Sequence, residues 1–176
     1  GKGRVDFAQF DGLYVGPVFA GFQARQVHID TGISPPVRVL EDSWHTAVYP
    51  VRLRNAPPLH VFDLRSEQRL LTDKPLELPK YYYGGLGFRG PWNWNGEANV
   101  AYLDSNGTTN RVAANGTRAR WYWVGGNVDG ALAGIAVLGH PGNFRAPEPL
   151  RVHPKEPFVC WAPSHLGKWS LEPGKV

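Results

Sequence analysis

The stretch RARWYWVGGNVDGALAGIAVL, residues 118 to 138, decides the fold. Two runs rich in aromatic and branched side chains, Arg118–Val124 and Ala131–Leu138, flank the dipeptide Asp129-Gly130. That dipeptide accepts the positive φ angles of a tight hairpin turn, so the pattern predicts two antiparallel strands joined there. Because Ala131–Leu138 is the most apolar run in the chain, we expect it to be a central strand of its sheet.

The side chains of Arg118–Val124 alternate between two faces, as they do along any strand. One face carries Ala119, Trp121 and Trp123, and the other carries Arg118, Arg120 and Tyr122. If the first face packs in the core, the second presents two guanidinium groups and a phenol to solvent. Arg120 is therefore a candidate ligand-binding residue.

The rest of the chain favours many short strands over helices. Glycine (21 residues) and proline (16 residues) are plentiful, and no stretch has the period of a helix. The further strand-like runs are a hairpin of Leu59–Arg65 and Gln68–Leu78, then Gly85–Arg89, Asn99–Asp104, Pro157–Ala162 and Lys168–Leu171, with two strands inside Val37–Leu53. The predicted fold class is all-β, an antiparallel meander folded into a β-sandwich.

The domain prediction is one β-sandwich domain over residues 1–176. Residues 1–36 are less regular, and we expect either a loop-rich segment or a pair of strands there. The chain has no methionine, so we expect it to be a piece of a longer protein; the family resemblance described below implies that both ends are truncated.

Composition argues against several classes of protein. The net charge is +4, but the arginines are spread along the chain, which argues against nucleic-acid binding. The single cysteine, Cys160, lies between Val159 and Trp161 and reads as a buried apolar residue. The longest apolar run has nine residues, against about 20 for a membrane helix. No histidine pair has metal-ligand spacing, so no metal or cofactor is predicted.

The stretch YYYGGLGFRGPWNWNG, residues 81 to 96, gathers aromatic rings and glycines around Arg89. The family resemblance described below implies a carbohydrate ligand; sugar rings have apolar C–H faces that stack on aromatic rings, and their hydroxyls pair with donors such as a guanidinium. We expect Trp92 and Trp94 at the rim of a saccharide platform, and Tyr82 or its neighbours in the core. The alternative is that Tyr81–Tyr83 all pack on the sheet and the tryptophans alone are exposed.

A second stretch, GHPGNFRAPEPLRVHP at residues 139 to 154, concentrates polar side chains between prolines, which stiffen a loop. His140 is the candidate general acid or base, because an imidazole titrates near neutral pH. The alternative is that His140 caps the strand and Arg145 pairs with an acid such as Glu148. His153 is a further ligand-binding candidate.

The candidate site combines residues of both stretches with Glu97 and Arg120, which lie outside them. Arg89 and Arg145 would anchor sugar hydroxyls or carboxylates. Glu97 is the proposed catalytic partner of His140, with Glu148 and Glu156 as open alternatives. The remaining substrate-binding candidates are Asn143, Trp92, Trp94, Arg120 and His153. We expect Arg89 and His140 to converge on one open face.

Four segments have a familiar order and spacing: YYYGGLGFRG, ANGTRARW, DGALAGIAVLGHPGNFRAPEPLRVHPKEPF and LEPG. Over Val37–Val176 the chain resembles a bacterial family of uncharacterised proteins labelled PmoA-like, or methane oxygenase-like. The resemblance implies a supersandwich related to galactose mutarotase, a carbohydrate ligand, and a secreted or periplasmic location. The family's HHRG block has no counterpart here, and the methane label conflicts with the lack of long apolar helices.

Two function hypotheses follow from these residues. The first is an enzyme acting on a carbohydrate by epimerase-, lyase- or hydrolase-like proton chemistry. The second is a non-catalytic carbohydrate-binding β-sandwich in which the tryptophans supply most of the affinity. A third possibility is that the chain is a structural half of a larger sandwich.

Overall fold

The computed structural model describes residues 2–55 and 59–176 and shows an antiparallel, sandwich-like all-β chain, which confirms the predicted fold class. The strands are β1 (Gly3–Val15), β2 (Ala20–Asp30), β3 (Val37–Tyr49), β4 (Val61–Leu70), β5 (Leu76–Leu78), β6 (Gly87–Arg89), β7 (Val100–Asp104), β8 (Trp121–Val128), β9 (Ala131–Leu138), β10 (Leu150–Val152), β11 (Phe158–Trp161) and β12 (Trp169–Leu171). A short helix, α1 (Arg111–Ala114), and 3₁₀ turns at Trp92–Trp94, Glu97–Asn99 and Pro163–Leu166 lie between strands. Within the described ranges, no helix has the length and apolar character needed to cross a bilayer.

The strands hydrogen-bond in the orders β1-β2-β3-β4, β7-β8-β9 and β10-β11-β6, and β5 pairs with β12. Contacts group the chain into two compact units. The first is Gly1–Glu77 with Ser170–Val176, and the second is Leu78–Trp169. The prediction of a single domain stays a prediction, and each unit is described by itself.

The first unit begins with a strand pair, which is one of the two alternatives predicted for residues 1–36; residue 1 lies outside the described residues. β1 and β2 pair antiparallel from Gly3 opposite Asp30 to Val15 opposite Ala20. The register shifts between Phe7 and Gln9 and again between Phe10 and Gly12. Such bulges insert extra residues and interrupt the alternation of apolar and polar side chains, which explains why the sequence pattern looked irregular.

Two predictions for this unit are wrong. Val37–Leu53 holds one long strand, β3, rather than two, and β4 runs unbroken through Ser66 and Glu67 instead of turning there. Both residues stay in register with β3, with Ser66 opposite Trp44. The segment has no glycine or asparagine to take positive φ, so it lacks the residues of a tight turn.

The four-stranded sheet carries a row of alternating charges on one face. Arg25 on β2 donates to both carboxylate oxygens of Asp11, at 2.8 and 2.6 Å. Glu41 on β3 lies 3.5 Å from Arg25 and accepts from Arg69 of β4 at 2.8 Å. These ion pairs join all four strands of the sheet.

The second unit is a small sandwich of the β7-β8-β9 and β10-β11-β6 sheets. Their facing side chains form one core, with Tyr122 and Val124 from one sheet and Leu150, Val152 and Val159 from the other, each at most 1% exposed. Burial of a large apolar side chain contributes about 1.5–3 kcal/mol, so this shared core holds the two sheets together.

The β8–β9 hairpin is confirmed, with φ of 52° at Asp129 and 83° at Gly130. Two details differ from the prediction. β9 lies at the edge of its sheet rather than in the centre, because it pairs with β8 and the described residues place no strand on its other side. The face assignment is inverted: Tyr122 is 0% exposed in the core, whereas Trp121 and Trp123 point outward. The alternation of inward and outward side chains is interrupted just before β8: Ala119 is buried, but Arg120 and Trp121 both point outward.

Candidate binding cleft

Arg89 lies on β6 with 59% of its side chain exposed. Its guanidinium donates to the carboxylate of Glu156 and sits 5.0 Å from the centre of the Phe158 ring. That hydrogen bond lowers the pKa of the Glu156 carboxyl below its usual value. The charge of Arg89 is therefore already paired. This pairing with Glu156 was not predicted from the sequence.

Both candidate histidines accept a backbone hydrogen bond at Nδ1. Nδ1 of His153 accepts the backbone N–H of Glu156 at 2.9 Å, and Nδ1 of His140 accepts that of Gly142 at 3.0 Å. A neutral imidazole that accepts at Nδ1 carries its proton on Nε2. Burial lowers the pKa of His153, which favours this neutral form. To act as a general base through Nε2, either histidine would have to carry its proton on Nδ1 instead. Nδ1 could then no longer accept the backbone hydrogen bond.

The 139–149 loop is held by its own polar side chains. Arg145 adopts a φ of 63° and donates to the carbonyls of Pro163 and Gly167, at 2.6 and 2.9 Å. Nδ2 of Asn143 donates to Glu148 at 2.7 Å. Since these groups are used internally, Arg145 and Asn143 fix the loop rather than offer free ligand contacts.

The predicted convergence of Arg89 and His140 finds no support. Arg89 is in register with Phe158 at one end of β11, whereas the loop that follows His140 is tied by Arg145 to Pro163, beyond the other end. The four residues of β11 span about 10 Å at roughly 3.3 Å per residue. Within the described part of the chain, no hydrogen bond or ion pair joins the two groups. The structure instead brings Arg89, Glu156 and His153 together.

The remaining candidates divide between surface and core. Trp92 is 88% exposed, as expected, but Trp94 is 3% exposed and belongs to the core rather than to a rim. Its Nε1 donates to the carbonyl of Asn127 at 3.0 Å, which satisfies the buried indole. Glu97 and Arg120 are exposed, and neither lies against His140 through any described hydrogen bond. Tyr81 and Tyr82 are about half exposed, at 51% and 49%, so they do not form core.

A cleft of about 340 Å³ opens beside Trp94. Its polar side chains are three amides, those of Asn93, Asn99 and Asn127, and we call it the amide cleft. The other lining residues are Ala98, Ala101, Gly125, Gly126 and Leu132. The volume lies at the lower end of the range for small-molecule sites, about 300–1,000 Å³.

An aromatic platform adjoins the amide cleft at Gly125. A Cβ built at Gly125 would lie 2.7 Å from Cη2 of Trp123, and one built at Gly134 would lie 2.7 Å from its Nε1. The indole therefore lies across these two glycines on the outer face of the sheet. Trp123 is half-buried, so part of its side chain is exposed next to Gly125, which lines the cleft.

A sequence profile of a family of unknown function, DUF6807, matches residues 1–176. The chain belongs to the DUF6807 family. No curated protein and no solved structure matches it. The assignment to the PmoA-like family is therefore wrong, and the relation to galactose mutarotase that it implied has no support. The secreted or periplasmic location inferred from that resemblance stays a prediction.

For this DUF6807 chain, sequence reasoning missed most of the cleft. Asn93 lies in the quoted aromatic stretch, but Asn99, Asn127 and Trp123 were not chosen as ligand residues. The sequence did contain one signal for this cleft, the run Gly125-Gly126-Asn127 inside a strand. Glycines in the interior of a strand often mark a place where a ligand or another part of the chain approaches the backbone closely. Among residues 2–55 and 59–176, no three His, Cys, Asp or Glu side chains are grouped to hold a metal ion.

Proposed function

We propose that this DUF6807 chain binds a neutral saccharide in the amide cleft, as a non-catalytic module. The observation that carries the proposal is a cleft of about 340 Å³ whose polar side chains are all amides and which adjoins an indole platform. Aromatic faces and amides together are the groups that suit a ring with apolar C–H faces and neutral hydroxyls.

The amides offer both kinds of hydrogen bond. Asn93 and Asn99 donate through Nδ2 to the backbone carbonyls of Asn127 and Asn95, at 2.9 and 2.6 Å, which leaves each Oδ1 as an acceptor. Asn127 accepts the N–H of Gly130 at Oδ1 at 2.9 Å, which leaves its Nδ2 as a donor. A sugar hydroxyl both donates and accepts, so it can pair with either group. Because the backbone fixes these side chains, little conformational entropy is lost on binding.

Trp123 supplies the apolar part of the site. Its indole is pinned against the sheet by the close approach of Gly125 and Gly134, so it is already oriented before a ligand arrives. Apolar area that a sugar ring covers on this indole contributes about 25 cal/mol per Å².

Binding is favoured over catalysis by the groups around the cleft. Its lining contains no titratable side chain, and proton chemistry on a sugar needs a positioned acid or base. The histidines singled out from the sequence accept backbone hydrogen bonds at Nδ1 and are not among the residues that line the cleft. The hypothesis of an epimerase, lyase or hydrolase stays a prediction that nothing in the cleft favours.

The experiment begins with a glycan array of neutral mono- and oligosaccharides, followed by calorimetric titration of the best ligand. Asn93→Ala with Asn99→Ala removes two acceptors and should weaken binding at least about tenfold. Ala98→Phe fills the cleft and should abolish binding. Asn106→Ala is the matched control, since its Nδ2 also donates to a backbone carbonyl, that of Arg118 at 2.9 Å, outside the cleft.

The outcomes separate the hypotheses. Wild-type affinity in Ala98→Phe would place the ligand elsewhere and overturn the proposal. Loss of binding in Trp92→Ala with the amide variants unaffected would favour the sequence-based platform instead. Turnover of the bound sugar would replace the binding module with the enzyme hypothesis.

A further inference from the structure

The outward face of the β10-β11-β6 sheet carries a continuous chain of aromatic rings and arginines. We call it the tyrosine–arginine face; its members are Tyr81, Tyr82, Tyr83, Arg89, Arg151 and Phe158. Neighbouring tyrosine rings have centroids 4.9 Å apart, and Tyr83 lies 5.7 Å from Phe158. This face is opposite the core side of the sheet, since Leu150, Val152 and Val159 point inward.

Arg151 lies over two tyrosine rings of this face, and no carboxylate among the described residues forms an ion pair with it. Its guanidinium carbon is 5.3 Å from the ring centres of both Tyr82 and Tyr83. NH1 donates to Oδ1 of Asn115 at 3.0 Å and to the carbonyl of Val152 at 3.2 Å. NH2 has a single long contact, 3.5 Å to the hydroxyl of Tyr83. In the described part of the chain these partners are neutral, and Nε is buried without any partner.

We propose that the tyrosine–arginine face binds a uronate, a sugar ring that carries a carboxylate. The half-exposed rings of Tyr81 and Tyr82 offer stacking surfaces for the C–H face of the sugar. The NH2 group of Arg151 offers an underused donor for the carboxylate, and hydrogen bonds between charged partners are about twice as strong as neutral ones. The face is separate from the amide cleft, and neither proposal requires the other.

The charge of this face favours a single carboxylate over a chain of phosphates. Arg89 and Arg151 contribute two positive charges, but Glu156 already pairs with Arg89. Among the described residues, Arg151 is therefore left beside the tyrosines without a carboxylate partner. A nucleic-acid strand is bound by a track of several lysines or arginines, each opposite a phosphate. A uronate needs one cation and one apolar ring face, which is what this surface provides.

The test is a calorimetric titration with a galacturonate trimer and with the same trimer as its methyl ester. The ester keeps the sugar rings and masks the charge, so we expect it to bind at least about tenfold more weakly. Affinity for the acid should fall as salt is raised from about 0.05 to about 0.5 M, because added ions screen the charge pair. A thymidine decamer tests the nucleic-acid alternative.

Three variants locate the ligand. Arg151→Gln should weaken trimer binding at least about tenfold. Arg151→Lys keeps the charge but loses the planar donors and should give a smaller loss. Tyr81→Ala with Tyr82→Ala leaves Arg151 intact and should also weaken binding, which keeps the proposal testable if Arg151→Gln does not fold. Arg38→Gln is the charge-matched control, since Arg38 is an exposed residue of β3.

Three results would each overturn the proposal. Equal affinity for the acid and its ester would show that the carboxylate does not contribute to binding. Wild-type affinity in the double tyrosine variant would show that the rings do not stack on the ligand. Tighter binding of the thymidine decamer than of the trimer would assign the face to nucleic acid. The proposed neutral-saccharide site can fail or succeed independently, because Ala98→Phe does not alter this face.

Discussion

The indole of Trp123 and the backbone of Gly125 lie so close that no side chain fits between them. A Cβ built at Gly125 would be 2.7 Å from Cη2 of the indole and 2.5 Å from the carbonyl oxygen of Ala133. The second of these atoms belongs to the backbone of β9 and cannot move without disturbing the β8–β9 ladder. Both the hairpin and the platform beside the amide cleft therefore depend on this glycine.

Gly125→Ala should lower the free energy of unfolding by about 1–3 kcal/mol, the usual cost of forcing extra volume into a packed site. Urea unfolding followed by tryptophan fluorescence measures this change. Gly3→Ala is the control, since the nearest atom to a Cβ there is 3.9 Å away, and it should be close to neutral. If the two variants had equal stability, the packing of Trp123 on Gly125 would be disproved.

Asp104→Ala should be strongly destabilising. Asp104 is 1% exposed, and its carboxylate accepts the hydroxyl of Tyr102 at 3.1 Å and the backbone N–H of Asn106 at 2.9 Å. Each buried polar group left without a partner costs about 1–3 kcal/mol. Asp104→Asn keeps an acceptor oxygen and should cost less, as should Tyr102→Phe. Chemical denaturation would contradict this account if Asp104→Ala were no worse than Tyr102→Phe.

The parts of the fold that the sequence predicted are those with local signals. Asp129-Gly130 lies between two strand-like runs, and a tight turn of this kind depends on those two residues alone. The position of β9 in its sheet depends on which strands pair with one another, and a local sequence pattern does not determine this pairing. The apolar sequence of β9 resembles that of a buried strand, yet most of its side chains are exposed because β9 is an edge strand.

The candidate site was less predictable, because side chains with the right chemistry are used for structure. Arg145 is as suitable for a sugar as Arg151 by residue type, but it donates to the carbonyls of Pro163 and Gly167. Trp94 has its indole N–H occupied by Asn127 and its ring in the core. These assignments depend on long-range contacts. Sequence reasoning identified the saccharide chemistry that we propose, but it selected different residues to carry it.

The ion pair between Asp11 and Arg25 predicts a specific loss of stability in acid. Hydrogen bonds from Arg25 lower the pKa of Asp11 from its ordinary 3.8 to about 2. A carboxyl whose pKa is lower in the folded state stabilises that state above its unfolded pKa, and the contribution disappears as pH falls through the folded pKa. The stability difference between wild type and Asp11→Asn should therefore be constant above about pH 5 and decline between pH 3.8 and 2.

Denaturant unfolding across this pH range gives the difference, and carbon-detected NMR of Asp11 gives its titration midpoint directly. Because the pair is exposed, salt should reduce the effect. Arg25→Gln is the matched variant, and it should return the Asp11 midpoint toward 3.8. An Asp11 midpoint near 3.8 in the wild type would disprove the pairing.

His153 should be neutral at pH 7 with its proton on Nε2. Burial lowers its pKa below the ordinary 6.5, and Nδ1 accepts the backbone N–H of Glu156 at 2.9 Å. A histidine whose pKa is lowered on folding stabilises the folded state above its unfolded pKa, and this stability is lost as pH falls through 6.5 toward the folded value. Nitrogen-15 NMR distinguishes the two tautomers and gives the midpoint, and His153→Gln identifies the resonance. A midpoint above 6.5, or a proton on Nδ1, would disprove this assignment.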